Sequence, residues 1–181
     1  MLMSAFDPNR SLRQGTIGGA ASKPIFEANS VMTQPFAPGD VFGVPLPDGS
    51  MGVGQVLSLE PDALNSVGCV FLAATVDAGV LSGAPDPIAA LLITPDLLKS
   101  GAWPVKASAP VVLPREEWPY EAYRALHWVG VKVTGSRNAQ ALLAAYHCLA
   151  PWDDWHDPTY LDSLLLAGVS RPHGVLLSRA D

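Results

Sequence analysis

Charge is scarce in this sequence. Only 15% of its 181 residues are charged, and 17 acids outnumber 11 bases for a formal net charge of −6. A protein that holds nucleic acid through its phosphates needs a basic face, so the balance argues against a general nucleic-acid binder and fits a basic protein partner better. Cysteine is nearly absent. Cys69 and Cys148 stand far apart beside apolar neighbours and read as free buried thiols of a cytosolic protein rather than as a disulfide. The opening M-L-M-S-A-F-D-P-N-R lacks the apolar run of about 7–15 residues that a secretory signal requires. No later apolar stretch is long and unbroken enough to span a bilayer. The expectation is a soluble, cytoplasmic protein with no membrane partner.

Catalytic signatures are missing too. No Gly-x-Ser-x-Gly elbow occurs, and Gln14–Gly19 (Q-G-T-I-G-G) lacks the Gly-Lys-Ser/Thr ending and the preceding strand of a phosphate loop. His147 and Cys148 are adjacent, but neighbours on a helix do not face one another, and both are expected to pack rather than react. His127 and His173 are lone histidines with no ligand partner at useful spacing. Trp103, Trp118 and Trp128 have no basic residues interleaved to make a nucleic-acid platform and read as core or edge anchors. No cofactor is implied.

Apolar residues make up 49% of the chain, with 17 prolines and 16 glycines, which predicts one core built from short elements and many turns. Residues 1–35 are dominated by small side chains and read as a flexible arm. Asp7 and Glu27 against Arg10, Arg13 and Lys23 give it a net +1, which leaves −7 for the single domain expected over 36–181.

The clearest element runs from Gly39 to Leu57. Two apolar runs meet at Pro47-Asp48-Gly49-Ser50, a hairpin turn in which Pro pre-sets φ and Gly supplies a positive φ. Phe42, Val44 and Leu46 share one face of the first strand, and Val41, Gly43, Pro45 and Pro47 the other. In the second, Met51, Val53, Gln55 and Leu57 alternate with Gly52, Gly54 and Val56. Glycines in a strand mark a bulge, a bend or a close approach, so a small bent antiparallel sheet or partial barrel is expected.

Downstream, Glu60–Asn65 reads as a turn or short helical piece and Val67–Asp77 as a strand buried on both faces. Asp86–Pro95 is ambiguous, although Asp86 as cap and Pro87 in first position argue for a helix. Thr94–Gly101 repeats that pattern, with Gly101 as its stop. Trp103–Ser108 and Pro110–Pro114 are short extended pieces suited to sheet edges. The connector Arg115–Arg124 carries Glu116, Glu117 and Glu121 on a solvated face. His127–Thr134 alternates like a strand, and Ser136 can cap a helix over Asn138–Leu149 with Leu142, Leu143, Tyr146 and Leu149 as its stripe. A further helix is expected after Asp157-Pro158, burying Tyr160, Leu161, Leu164 and Leu165, and a short strand at Gly174–Ser178. The fold class is α+β, with two or more helices packed on the sheet toward the C-terminus.

Pro151–Pro158, P-W-D-D-W-H-D-P, gathers Asp153, Asp154, His156 and Asp157 within five residues. One reading is structural: Asp157 caps, Asp153 and Asp154 satisfy turn donors, and Trp152 and Trp155 cover the core. Another is a contact with a partner. A third is a hydrolase or metal-dependent enzyme using residues 153–157, although the spacing fits neither a calcium loop nor His-Glu-x-x-His.

Three stretches together resemble the immunity protein 26 family of bacterial polymorphic-toxin and contact-inhibition systems. They are G-D-V-F-G-V-P-L-P-D-G with G-V-G-Q-V-L at Gly39–Leu57, L-K-S-G-A-W-P-V at Leu98–Val105, and Y-H-C-L-A-P-W-D-D-W-H-D-P at Tyr146–Pro158. The similarity covers roughly residues 36–165 and rests on turn and core residues. It implies a non-enzymatic, mainly β protein that neutralises a cognate toxin domain encoded beside it, although this chain reads as more helical toward its C-terminus. A toxin with a basic substrate cleft would be met by exposed acids and aromatics. The residues expected to carry that contact are Asp153, Asp154 and Asp157, then Glu116 and Glu117, with Trp155 or Trp152 as an anchor if exposed. An adaptor domain with an unrelated partner is the remaining alternative.

Overall fold

The computed structural model describes residues 33–178. Strands β1 (Asp40–Pro45), β2 (Met51–Glu60), β3 (Ser66–Asp77) and β4 (Val80–Ile93) form an antiparallel meander. Strand β5 (Val105–Ser108) returns to pair antiparallel with β1, and β6 (Val133–Thr134) pairs parallel with β4. The sheet is open, in the order β5-β1-β2-β3-β4-β6. Register shifts interrupt the β1–β5, β2–β3 and β3–β4 ladders, and such bulges bend the strands that carry them. Helices α1 (Asp96–Lys99), α2 (Glu121–Arg124) and α3 (Ser136–Tyr146) complete an α+β fold.

Alternate residues of the central strands are apolar on both sides, so both faces of the sheet carry core, the first covered throughout and the second over part of its length. On the first face Phe42, Val56, Cys69, Phe71 and Ile93 meet Leu142 and Leu143 of α3, Leu98 of α1, and Trp103, Trp152 and Leu161. On the second, Val53, Leu57, Val70, Leu72 and Leu92 meet Leu113, Tyr120 and, half-buried, Trp118 and Trp128. The hairpin turn falls where its residues predict, with Gly49 at φ +88°. The strand glycines admit neighbouring side chains. A Cβ on Gly54 would stand 2.5 Å from the Phe42 ring, one on Gly52 3.0 Å from Leu143 Cδ1, and one on Gly68 2.1 Å from the Tyr120 hydroxyl.

Two glutamines tie the edge of the sheet. Gln55, 1% exposed in β2, donates from Nε2 to the carbonyls of Gly39, Ala109 and Pro110, and its Oε1 accepts from Val112 N. That pins the 109–112 segment, which joins no strand, and bends at Val112 and Leu113 interrupt the extended piece expected over Pro110–Pro114. The expected arm lies outside the described residues up to 32. Of its last three residues, Gln34 is tied to the domain: its Nε2 donates to Leu98 O and Trp103 O, and Val105 N donates to its Oε1.

Several elements differ from expectation. Asp86–Ile93 continues β4 and is not helical. Its run is apolar on both sides because both faces carry core there, and periodicity does not separate such a strand from a buried helix. Pro87 is tolerated because it sits opposite Leu72 at a register shift. Only Val133 and Thr134 of the strand expected over His127–Thr134 join the sheet. His127 and Trp128 turn the chain at φ +50° and +65°, and Arg124 lies 4.7 Å above the Trp128 ring. In α1, Pro95 takes the cap position instead of Thr94, whose Oγ1 donates to Asp96 Oδ1, and Gly101 ends the element at φ +75°. Helix α3 has Gly135 at its cap position, with Ser136 turned to donate from Oγ to Asp96 Oδ1, and it stops at Tyr146. After Pro158 there is a turn and a 3-10 piece, Asp162–Leu164, instead of an α-helix, although Leu161 and Leu164 are buried as expected. The C-terminal strand is reduced to one bridge, Pro151 with Leu176.

A polar network anchors the cover of the second face. Glu60, at the end of β2, is 3% exposed and meets the Arg124 guanidinium through both carboxylate oxygens, Nη1 to Oε2 at 2.9 Å and Nη2 to Oε1. Arg124 also reaches Glu121, which Arg115 contacts at 2.6 Å. The hydrogen bond from Arg115, then those from Arg124, hold the Glu121 carboxyl below its usual range, so this contribution is present above the unfolded value and is lost as pH falls through the folded one.

Two stability tests follow from this geometry. Gly54→Ala drives a methyl into a Phe42 ring already held by Trp103, and costs about 1–3 kcal/mol of unfolding free energy in urea. Gly52→Ala is tight only against Leu143 Cδ1, the movable end of that side chain, at 3.0 Å, and costs less. Arg124→Met leaves Glu60 buried and unpaired, and costs about 2–4 kcal/mol. Adding Glu60→Leu to it recovers part of that loss in a double-mutant cycle.

Candidate functional site

The acidic-aromatic loop is held at both ends. Helix α3 ends at Tyr146 with His147 as its C-cap, and Cys148, at φ +59°, reverses the chain. Trp152 N then donates to Leu176 O at 2.8 Å, and the Trp152 ring is fully buried in the first-face core. Asp153 Oδ1 accepts from Ser178 N at 2.6 Å and from Ser178 Oγ at 3.0 Å, which clips the C-terminal segment to the loop. At the far end Asp157 Oδ1 accepts from Thr159 N at 2.9 Å and Thr159 Oγ1 at 2.7 Å. The Thr159 hydroxyl and then its amide hold the Asp157 carboxyl below the usual carboxylate range.

Between these ties the loop presents side chains outward. Asp154, His156 and Asp157 are exposed, and Trp155 is half-buried against the core. The Trp155 ring centroid is 4.7 Å from that of Tyr160. Tyr160 is fixed by Asn138, whose Nδ2 donates to its hydroxyl at 3.1 Å, and Lys132 Nζ stands 4.8 Å above its ring. Trp155, His156, Asp157 and Tyr160 line an open cleft of about 390 Å³. The arrangement offers carboxylates and an imidazole around a fixed aromatic pair, which suits recognition of a cationic surface.

The structure separates residues that the sequence grouped. Trp152 is fully buried and excluded as an exposed anchor, whereas Trp155 is half-buried. Asp153 and Asp157 are bonded to partners in different segments and do not converge. Among the described residues, no group of three or more His, Cys, Asp or Glu could hold a metal ion. Glu116 and Glu117 lie exposed on the 3-10 turn Arg115–Glu117. Glu117 lines a different cleft, of about 410 Å³, with Leu113, Leu166 and Val169, and that cleft shares no lining residue with the one at Trp155.

Reactive groups elsewhere are spent on packing. Cys69 is fully buried, and burial pushes its thiol well up, away from a nucleophilic thiolate. Burial lowers the pKa of His147, against the field of Asp48, and its Nε2 is buried without a hydrogen-bond partner among the described residues. Two features were not read from the sequence. One is the Glu60–Arg124 pair, whose members stand 64 residues apart. The other is an apolar groove on the second face of the sheet, for which the alternation of Val41, Met51 and Val53 was the available signal.

Among the described residues no helix is long and apolar enough to cross a membrane. No family model matches the chain, and no curated protein or solved structure gives a significant match.

Proposed function

We propose that this chain is an immunity protein of the bacterial cytoplasm, a non-enzymatic inhibitor that binds a cognate toxin domain and occludes its active site. The observation that carries the reading is the tethered 153–157 loop, which exposes Asp154, His156 and Asp157 beside a half-buried Trp155. A loop held by Ser178, Thr159 and Leu176 loses little freedom on binding, so its contacts are not consumed by ordering it. Its acids would meet a basic, substrate-binding cleft of the toxin, and the net charge of −6 would speed encounter with such a partner. The three stretches that resemble the immunity family support the same reading, as they form the β1–β2 hairpin, the passage from α1 to β5 around Trp103, and the exit from α3. Glu116 and Glu117, exposed on the Arg115–Glu117 turn, would lie at the rim of that contact.

The test is co-expression with the protein encoded by the adjacent gene, read by co-purification, growth rescue and association kinetics. Asp154→Lys is expected to slow association about tenfold at low salt, with the unfolding midpoint unchanged. Asp153→Lys is expected to lower stability as well, because it releases Ser178. Full rescue and wild-type kinetics with both Asp154→Lys and Glu117→Lys would remove the acids from the interface. Absence of any complex would overturn the immunity reading itself.

A further inference from the structure

The second face of the sheet is only partly covered. Leu113, Trp118, Tyr120 and Trp128 close it at one end, and none of them lines the groove left at the other. That groove, about 650 Å³, has Val41, Met51, Val53, Leu72 and Val76 among its walls and lies between the β1–β2 and β3–β4 turns. Its volume falls in the range of roughly 300–1,000 Å³ typical of small-molecule sites. Val53 and Leu72 are 9% and 6% exposed, so the floor is deep, whereas Val41, Met51 and Val76 are half-exposed along its sides. Lys106 of β5 is the only charged side chain among the described residues that line it.

The chemistry of the walls selects the occupant. The backbone of β1, β2 and β3 under the groove is engaged in ladder pairing, with Val41 opposite Gln55, Gly43 opposite Val53, and Met51 opposite Val76. A peptide laid in the groove would bury its own amides against side chains that cannot satisfy them, at a cost of about 1–3 kcal/mol for each unpaired group. An alkyl chain carries no such groups. A lysine at the edge of an apolar slot lays its methylenes along the wall and keeps its ammonium in water, where it attracts an anionic head. We propose that this groove is a binding site for one monomeric single-chain amphiphile of the fatty-carboxylate class, with its tail over Val53 and Leu72 and its head at Lys106. The site is on the sheet and apart from the 153–157 loop, and it stands whether or not the chain neutralises a toxin.

The experiment is calorimetric titration of the full chain with decanoate, dodecanoate and dodecylamine below their micelle concentrations. It is paired with methyl NMR of Val41, Val53 and Leu72. Saturation at one equivalent is expected, with dodecanoate roughly tenfold tighter than decanoate, from the two added methylenes, and tighter than the amine. Lys106→Glu is expected to weaken dodecanoate about fivefold and reverse the preference for the carboxylate. Val76→Arg, at a half-exposed position on the groove wall, is expected to abolish binding while far-UV dichroism is unchanged. Should that variant unfold, the wild-type methyl shifts still locate the ligand. No saturable binding, equal affinity for amine and carboxylate, shifts confined to other residues, or uptake only from phospholipid vesicles would each overturn the proposal.

Discussion

The Phe42 ring lies flat on Trp103, with ring centroids 5.5 Å apart and planes 6° from parallel, and Phe71 meets both edge-on at 6.0–6.1 Å. That cluster joins β1, β3 and the chain after α1, and it fits only because Gly54 of β2 has no side chain beneath Phe42. Much of the first face follows from it. Trp103 cannot reach the sheet unless the chain between α1 and β5 turns back, which Gly101 permits at φ +75°, and Gln34 then holds the Leu98 and Trp103 carbonyls in place. Once β5 is fixed against β1, the sheet has its outer edge.

The second face is held differently. Its cover is a connector with little regular structure, and a connector of that kind needs polar anchors where a helix would bring its own backbone bonds. Gln55 supplies one, with four hydrogen bonds inside the sheet's edge, and the Glu60–Arg124 pair supplies the other. Trp128 is drawn under Arg124 at a positive φ that a bulky residue rarely adopts, so the stacking and the ion pair offset local backbone strain. Tyr120 shows the same economy of space: its hydroxyl occupies the position a Cβ of residue 68 would take, and burial chiefly raises its pKa.

What the sequence disclosed follows from which signals are local. The β1–β2 turn was legible because proline and glycine dictate turn geometry with no help from distant residues. So was β3, whose nearly continuous apolar run is rich in β-branched residues. Asp86–Ile93 was not, because Asp86 and Pro87 mimic a helix start, whereas the pairing of Leu72 with Pro87 that decides the matter is not written near them. The segment after Asp157 misled for a related reason. Its carboxylate bonds Thr159, as an N-cap bonds the second residue beyond it, but Leu165 returns to an extended conformation and the turn never propagates.

The acidic octapeptide divides along the same line. Trp152 and Asp153 look alike with their successors in sequence, yet one ring is fully buried and one carboxylate holds the C-terminal segment, and only contacts from residues 176–178 distinguish them. Their structural work is what makes the neighbouring residues suited to recognition. A free loop bearing Asp154, His156 and Asp157 would lose much of its Coulombic gain to ordering, whereas a loop fixed between Ser178 and Thr159 holds those groups in place before any partner arrives. The separation between carboxylates that pin, Asp153 and Asp157, and the outward-facing Asp154 is therefore the physical ground on which the proposal of a partner contact at this loop rests.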